Sequence, residues 1–159
     1  MARPRWLLEH PRNSVVTLTF KQSVPLNNKI ATSELGFICD KRNESKIVGV
    51  ILIPFDGAFE NHQDVVPVVI QKSANQNDPF DLLQKWKNGT EYIFLESTDD
   101  INELASLLKA EEIDSEKSTH FFFPNDGGAG PQNSNHIVVD VSGFSDGFSA
   151  FEQACAPSQ

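Results

Sequence analysis

The sequence predicts a mainly β domain of the α+β class: an antiparallel β-sandwich or squat barrel of about eight strands with two helices packed on it. Three observations carry that expectation. Short segments in which apolar and polar residues alternate recur along the chain, the period of a half-buried strand. Polar turns separate them, and short turns join antiparallel neighbours. Only two stretches read clearly as helices, too few to cover both faces of a parallel sheet.

Taken in order, Trp6–Glu9 reads as a first strand and Pro11–Asn13 as a turn. Val16, Leu18 and Phe20 alternate with Thr17 and Thr19 to form the next strand, which Pro25–Asn28 ends. Leu35, Phe37 and Cys39 alternate again, so the Cys39 sulfur lies on the face of two core residues. After the polar Asp40–Ser45 comes Lys46–Phe55, apolar on both sides and expected as a central strand. Val65–Lys72 is β-branched but holds Pro67, which points to an edge strand or a bulge because proline cannot donate to a ladder. Phe80–Lys87 is ambiguous: Phe80, Leu83 and Trp86 fit helical spacing, while a strand packed on its neighbour fits as well. Asn88-Gly89 marks a tight turn before a strand at Tyr92–Glu96.

Ser97–Ala110 is the clearest helix. Ser97 with Asp100 resembles a capping box, Asp99 and Asp100 favour the positive end of the helix dipole, and Ile101, Leu104, Leu107 and Leu108 make one apolar face. A charged exit, Glu111–Lys117, leads to a short strand at His120–Phe123 and the aperiodic loop Pro124–Asn135. Ile137, Val139 and Val141 alternate in the last strand. Ser145 then caps a helix whose Phe148, Phe151 and Cys155 share a face.

The 159 residues suit one domain spanning the chain, with enough apolar residues for a sizeable core. Twelve phenylalanines against one tyrosine imply mostly buried rings, since Phe has no polar tip to keep wet. The net charge of -9 repels phosphate backbones, so no nucleic-acid role is expected. No apolar run is long enough to span a bilayer. The opening MARPRWLLEH has basic residues without the apolar core of a secretory signal. It fits either a cytosolic chain or a mature form in which Met replaces a removed signal, and the cysteines favour the second.

Those two cysteines, Cys39 and Cys155, allow one bridge; the alternative is two buried free thiols. There is no CxxC and no histidine spaced to complete a metal site, and no cofactor motif is present. Histidines at 10, 62, 120 and 136 are scattered, although His120 and His136 flank the Gly-rich loop and are placed to face each other across a hairpin. Asp56, Glu60, Asn61, His62 and Asp64 crowd one loop and offer oxygen ligands for Ca²⁺, but outside an EF-hand register; a solvated loop is the plainer reading. Asn125-Asp126-Gly127-Gly128 lacks the Lys-Ser/Thr ending of a phosphate loop. Trp6, Trp86 and Phe59 are candidate anchors for a partner, with Trp86 better placed in the core.

The chain resembles the small periplasmic VasI-like family associated with type VI secretion, and invasion-associated small secreted proteins are similar. The likeness rests on Trp6, the early strand Val16–Phe20, a strand ending in Cys39, Tyr92–Leu108 as strand, acidic turn and helix, the apolar Phe121–Phe123, and the closing strand, Gly-Phe step, helix and cysteine of Val138–Cys155. It implies a β-rich accessory protein of the periplasm or secreted space, with Cys39 and Cys155 bridged and no catalytic residues. The loops Phe55–Asp64 and Pro124–Asn135 have no counterpart in that pattern.

The function expected is therefore a non-enzymatic accessory or protein-interaction protein of the bacterial envelope, linked to secretion or host interaction. Its protein partner would meet Phe59 and His62 in one loop, Val66 and Val68 on an edge strand, and Asn125 and Asp126 in the other loop. The alternative is a carrier holding a small apolar ligand inside a Phe-rich barrel. An enzyme would need a concave cluster of titrating groups.

Overall fold

The computed structural model of the chain describes residues 6–26, 29–43, 46–52, 64–71, 82–89, 92–113, 118–123 and 135–156. Phe59, His62, Asn125 and Asp126, and the loop carboxylates Asp56 and Glu60, lie outside them. Among the described residues the strands are β1 (Trp6–Arg12), β2 (Val15–Leu26), β3 (Lys29–Asp40), β4 (Ile47–Leu52), β5 (Val65–Gln71), β6 (Leu82–Asn88), β7 (Tyr92–Leu95), β8 (Ser118–Phe123) and β9 (Asn135–Asp140). The helices are α1 (Thr98–Ile113) and α2 (Phe144–Cys155).

The α+β, mainly β expectation holds, and one feature of it is corrected. All nine strands belong to a single antiparallel sheet in the order β1-β2-β3-β4-β7-β6-β5-β8-β9, so it is neither a two-sheet sandwich nor a closed barrel. The helices take the place of a second sheet. Strand alternation sends Leu18, Phe37, Ile51, Ile93, Trp86, Val68, Phe121 and Val139 to one face, and that face joins Leu104, Leu108, Phe144, Phe148 and Phe151 of the helices in one core. The indole of Trp6 belongs to this core rather than to the surface, and its Nε1 donates to the Asp140 carbonyl at 3.1 Å, linking β1 to the end of β9.

Two local readings resolve against the simplest pattern. Residues 82–88 are a strand: Leu82, Gln84 and Trp86 point inward, and Leu83 is exposed. Both polar atoms of the inward amide are bonded, with Gln84 Nε2 donating to the Asp100 carbonyl at 2.8 Å and Gln84 Oε1 accepting from Trp86 Nε1 at 3.3 Å. The edge-strand assignment of Val65–Lys72 is also corrected. β5 lies between β6 and β8, and Val66 and Val68 are wholly buried, so neither is open to a partner. Pro67 is nevertheless tolerated for the reason foreseen. β8 pairs with Val69–Gln71 only, leaving the stretch around Pro67 beside β6 alone among the described residues.

The helix ends show how the C-terminal part is held. Ser97 caps α1, its Oγ accepting from Asp100 N at 3.4 Å and its carbonyl from Ile101 N at 2.9 Å. α1 runs three residues past Ala110, to Ile113, where the sequence placed a charged exit. Ser145 does not cap α2. The residue before that helix is Gly143, in the left-handed region at φ 82°, and the carboxylate of Glu112 on α1 accepts from Gly143 N at 2.7 Å and Ser145 N at 2.8 Å. A glutamate in the last turn of a helix opposes its own dipole; here it meets the positive end of the next helix instead. Glu112→Ala should therefore cost about 1–2 kcal/mol in urea denaturation. A loss below about 0.5 kcal/mol would show that water caps α2 equally well.

Cys39 and Cys155 are bridged, tying β3 to the last turn of α2 across 116 residues of sequence. Both are buried in the common core. At the end of β3, Asp40 receives Arg42 N at 2.9 Å, Arg42 Nε at 3.2 Å and Arg42 Nη2 at 3.0 Å. These hydrogen bonds from Arg42 lower the Asp40 pKa from 3.8 to about 2. A depressed carboxylate contributes stability above its unfolded pKa and loses it as pH falls through the folded value. Wild-type Tm should thus fall further than that of Asp40→Asn between about pH 5 and about pH 2, and parallel curves would refute the assignment.

Candidate functional site

The face of the sheet turned away from the helices is where chemistry is accessible. Strand alternation that buries Leu35, Phe37 and Cys39 sends Glu34, Gly36 and Ile38 outward, and the same rule sends Val48, Val50 and Leu52 of β4 and Tyr92 and Phe94 of β7 to that side. The registers place Ile38 beside Val48, Glu34 beside Leu52, Val50 beside Phe94 and Leu52 beside Tyr92. Together these side chains line a shallow groove of about 500 Å³. Leu52 and Tyr92 are exposed by 37% and 41%, and the Tyr92 and Phe94 rings lie 5.8 Å apart. Beside the groove, position 36 must be glycine, because the Thr19 methyl fills the space a Cβ would need, with Cγ2 only 2.9 Å from it.

Charge collects at the rim. Lys87 of β6 lies beside Phe94, with its ammonium 5.9 Å from the ring centroid. It pairs with Glu96 at 2.7 Å, and Lys46 reaches the same carboxylate at 3.9 Å. The hydrogen bond and charge of Lys87, then the charge of Lys46, hold the Glu96 pKa below its usual value. Lys85, exposed on the same outward side of β6, adds a third cation, while Glu34 lines the opposite end. On a chain of net charge -9 this corner is locally positive.

The groove keeps its centre apolar and its charge at the edge. Its lining is mostly apolar, its strands are interior to the sheet, and Lys87 and Lys46 pair with Glu96 at its rim. Among the described residues no group of three or more His, Cys, Asp or Glu side chains is placed to hold a metal ion. His120 and His136 are not opposite one another: His120 pairs with Val138, and His136 with Phe122. Among the described residues no helix is long and apolar enough to cross a membrane.

Of the sequence-predicted contact residues, Val66 and Val68 are in the core, and Phe59, His62, Asn125 and Asp126 lie outside the described residues. The groove was missed although its signal was present. The pattern of Lys46–Phe55, apolar on both sides, predicts a strand covered on both, whereas Leu52 is exposed and Val48 and Val50 are only half-buried.

What the fold defines is a mainly β, disulfide-tied α+β protein with a partly exposed apolar strip on the outer face of its sheet. Scans against protein-family models, curated proteins and solved structures return no match.

Proposed function

We propose that this is a non-enzymatic interaction protein of an oxidising extracytoplasmic compartment, periplasmic or secreted, that holds a protein partner on the outer face of its sheet. The observation that carries the reading is the apolar groove of Ile38, Val48, Val50, Leu52, Tyr92 and Phe94, on the face of the sheet opposite the one that α1 and α2 cover. The bridged cysteines support the compartment, since reducing cytoplasm rarely keeps structural disulfides. An accessory role in the bacterial envelope, tied to secretion or host interaction, is what the resemblance to VasI-like proteins adds. The carrier reading needs a barrel interior; an open sheet with α1 and α2 packed on its inner face favours the interaction reading over it.

The test is site-specific photocrosslinking. A benzophenone amino acid at Tyr92 should give a discrete adduct in envelope extract of the source organism, and Leu52→Asp on the same molecule should abolish it. The same probe at Glu103, exposed on α1, should give none. Equal adducts from both positions, or none from Tyr92, would sink the proposal.

A further inference from the structure

We infer that the segment this groove accepts is an amphipathic α-helix of the partner, carrying carboxylates where it meets Lys87 and Lys85 and a cation where it meets Glu34. The inference rests on the docking function just proposed and adds the chemistry of the docked element.

The first step concerns backbone. β3, β4, β7 and β6 are consecutive interior strands, each hydrogen-bonded to neighbours on both sides. At the centre of the groove Gly36, Val50 and Phe94 each pair on both sides, so an extended peptide lying across it finds no ladder to join there. Its own N–H and C=O groups would be trapped against Val50 and Phe94 without partners. An α-helix satisfies its backbone internally and presents one apolar stripe, the same solution by which α1 and α2 cover the opposite face of this sheet.

The second step concerns charge. The partner must approach a protein of net charge -9, and a uniformly acidic segment is repelled overall. At the β6 edge of the groove the local balance reverses, with Lys46, Lys85 and Lys87 against Glu96. At the β3 end the lining group is Glu34. The groove is therefore bipolar, and its complement is an apolar stripe with an acid at one end and a base at the other. The registers put Lys87 in line with Phe94, Val50 and Gly36, one two-residue step from Glu34. Three strand spacings and that step make roughly 16 Å, the length of about three helical turns. A helix with its acid in the first turn and its base in the last also complements its own dipole, so the groove and the helix favour the same charge order.

The probe is a dye-labelled synthetic peptide of about 14 residues, with leucines at i, i+3, i+4 and i+7, two glutamates in the first turn and two lysines in the last, titrated by fluorescence anisotropy against the oxidised full chain. Binding should saturate, disappear with Leu52→Asp, and weaken about five- to tenfold with Lys87→Glu. A version with proline at its centre should not bind. Circular dichroism of both protein variants should match wild type, since Leu52 and Lys87 are exposed. Equal binding of the proline peptide would overturn the helix, and indifference to Lys87→Glu would overturn the charge order. Should no peptide bind while Tyr92 still crosslinks a partner, the inference falls and the docking function stands; with neither signal, both fall.

Discussion

Removing the bridge by Cys39→Ala with Cys155→Ala is expected to destabilise the protein by about 4–5 kcal/mol, the largest effect of any change to a single contact. The cross-link closes 116 residues, so the unfolded chain that lacks it regains the entropy of a very long loop. A domain's whole stability is about 5–15 kcal/mol, which leaves the variant marginal. Its Tm should fall by about 10–20 °C. Reductant alone should act slowly on the native protein, because Cys39 and Cys155 are only 1% and 4% exposed. Urea denaturation of the oxidised protein against the double variant measures the difference. Agreement within about 1 kcal/mol would mean that α2 holds its place by packing alone.

The second large effect is expected at Phe37, two residues before Cys39 on the same face of β3. Its ring is wholly buried and lies 5.2 to 6.4 Å from those of Trp6, Phe144, Phe148 and Phe151. Phe37→Ala removes the ring on which β1 and α2 both pack, at a cost of about 3–5 kcal/mol from lost burial plus the cavity left behind. Phe94→Ala, on the outer face, should cost under about 1 kcal/mol although the chemistry is identical. The contrast in urea midpoints is the measurement. Similar losses at both sites would mean that the outer face is as tightly packed as the inner one. Phe37→Ala and the loss of the bridge act on one interface, so their combined cost should depart from the sum.

Much of this was legible because period-2 alternation is a strong signal wherever one face alone is apolar. Val16, Leu18 and Phe20, then Leu35, Phe37 and Cys39, are inward residues in the structure, and the bridging cysteine faces the core as its spacing required. Asn88, expected in a tight turn, is instead the last residue of β6 and pairs with Ile93, while Gly89 N donates to the Tyr92 carbonyl at 2.8 Å. The pattern failed at β6 because its inward and outward residues exchange character: Gln84 faces in and Leu83 faces out, which leaves Leu83 and Trp86 at a spacing that mimics a helix. The cap of α2 was illegible for another reason. Its acceptor, Glu112, is 31 residues away from Gly143, and no local motif records a partner that distant. The groove stayed hidden because apolar residues on both sides of a strand do not say which side is left open.

The bridge also fixes an order of events during synthesis. β1 to β4 emerge from the ribosome long before α2, yet α2 supplies the rings that cover Trp6 and Phe37. Until residue 155 has been made, Cys39 has no thiol to meet, and a greasy half-sheet stands open to any passing chain. Closure of the fold thus waits for α2, and a nascent chain halted before Phe144 should be a ward of chaperones rather than a smaller folded protein.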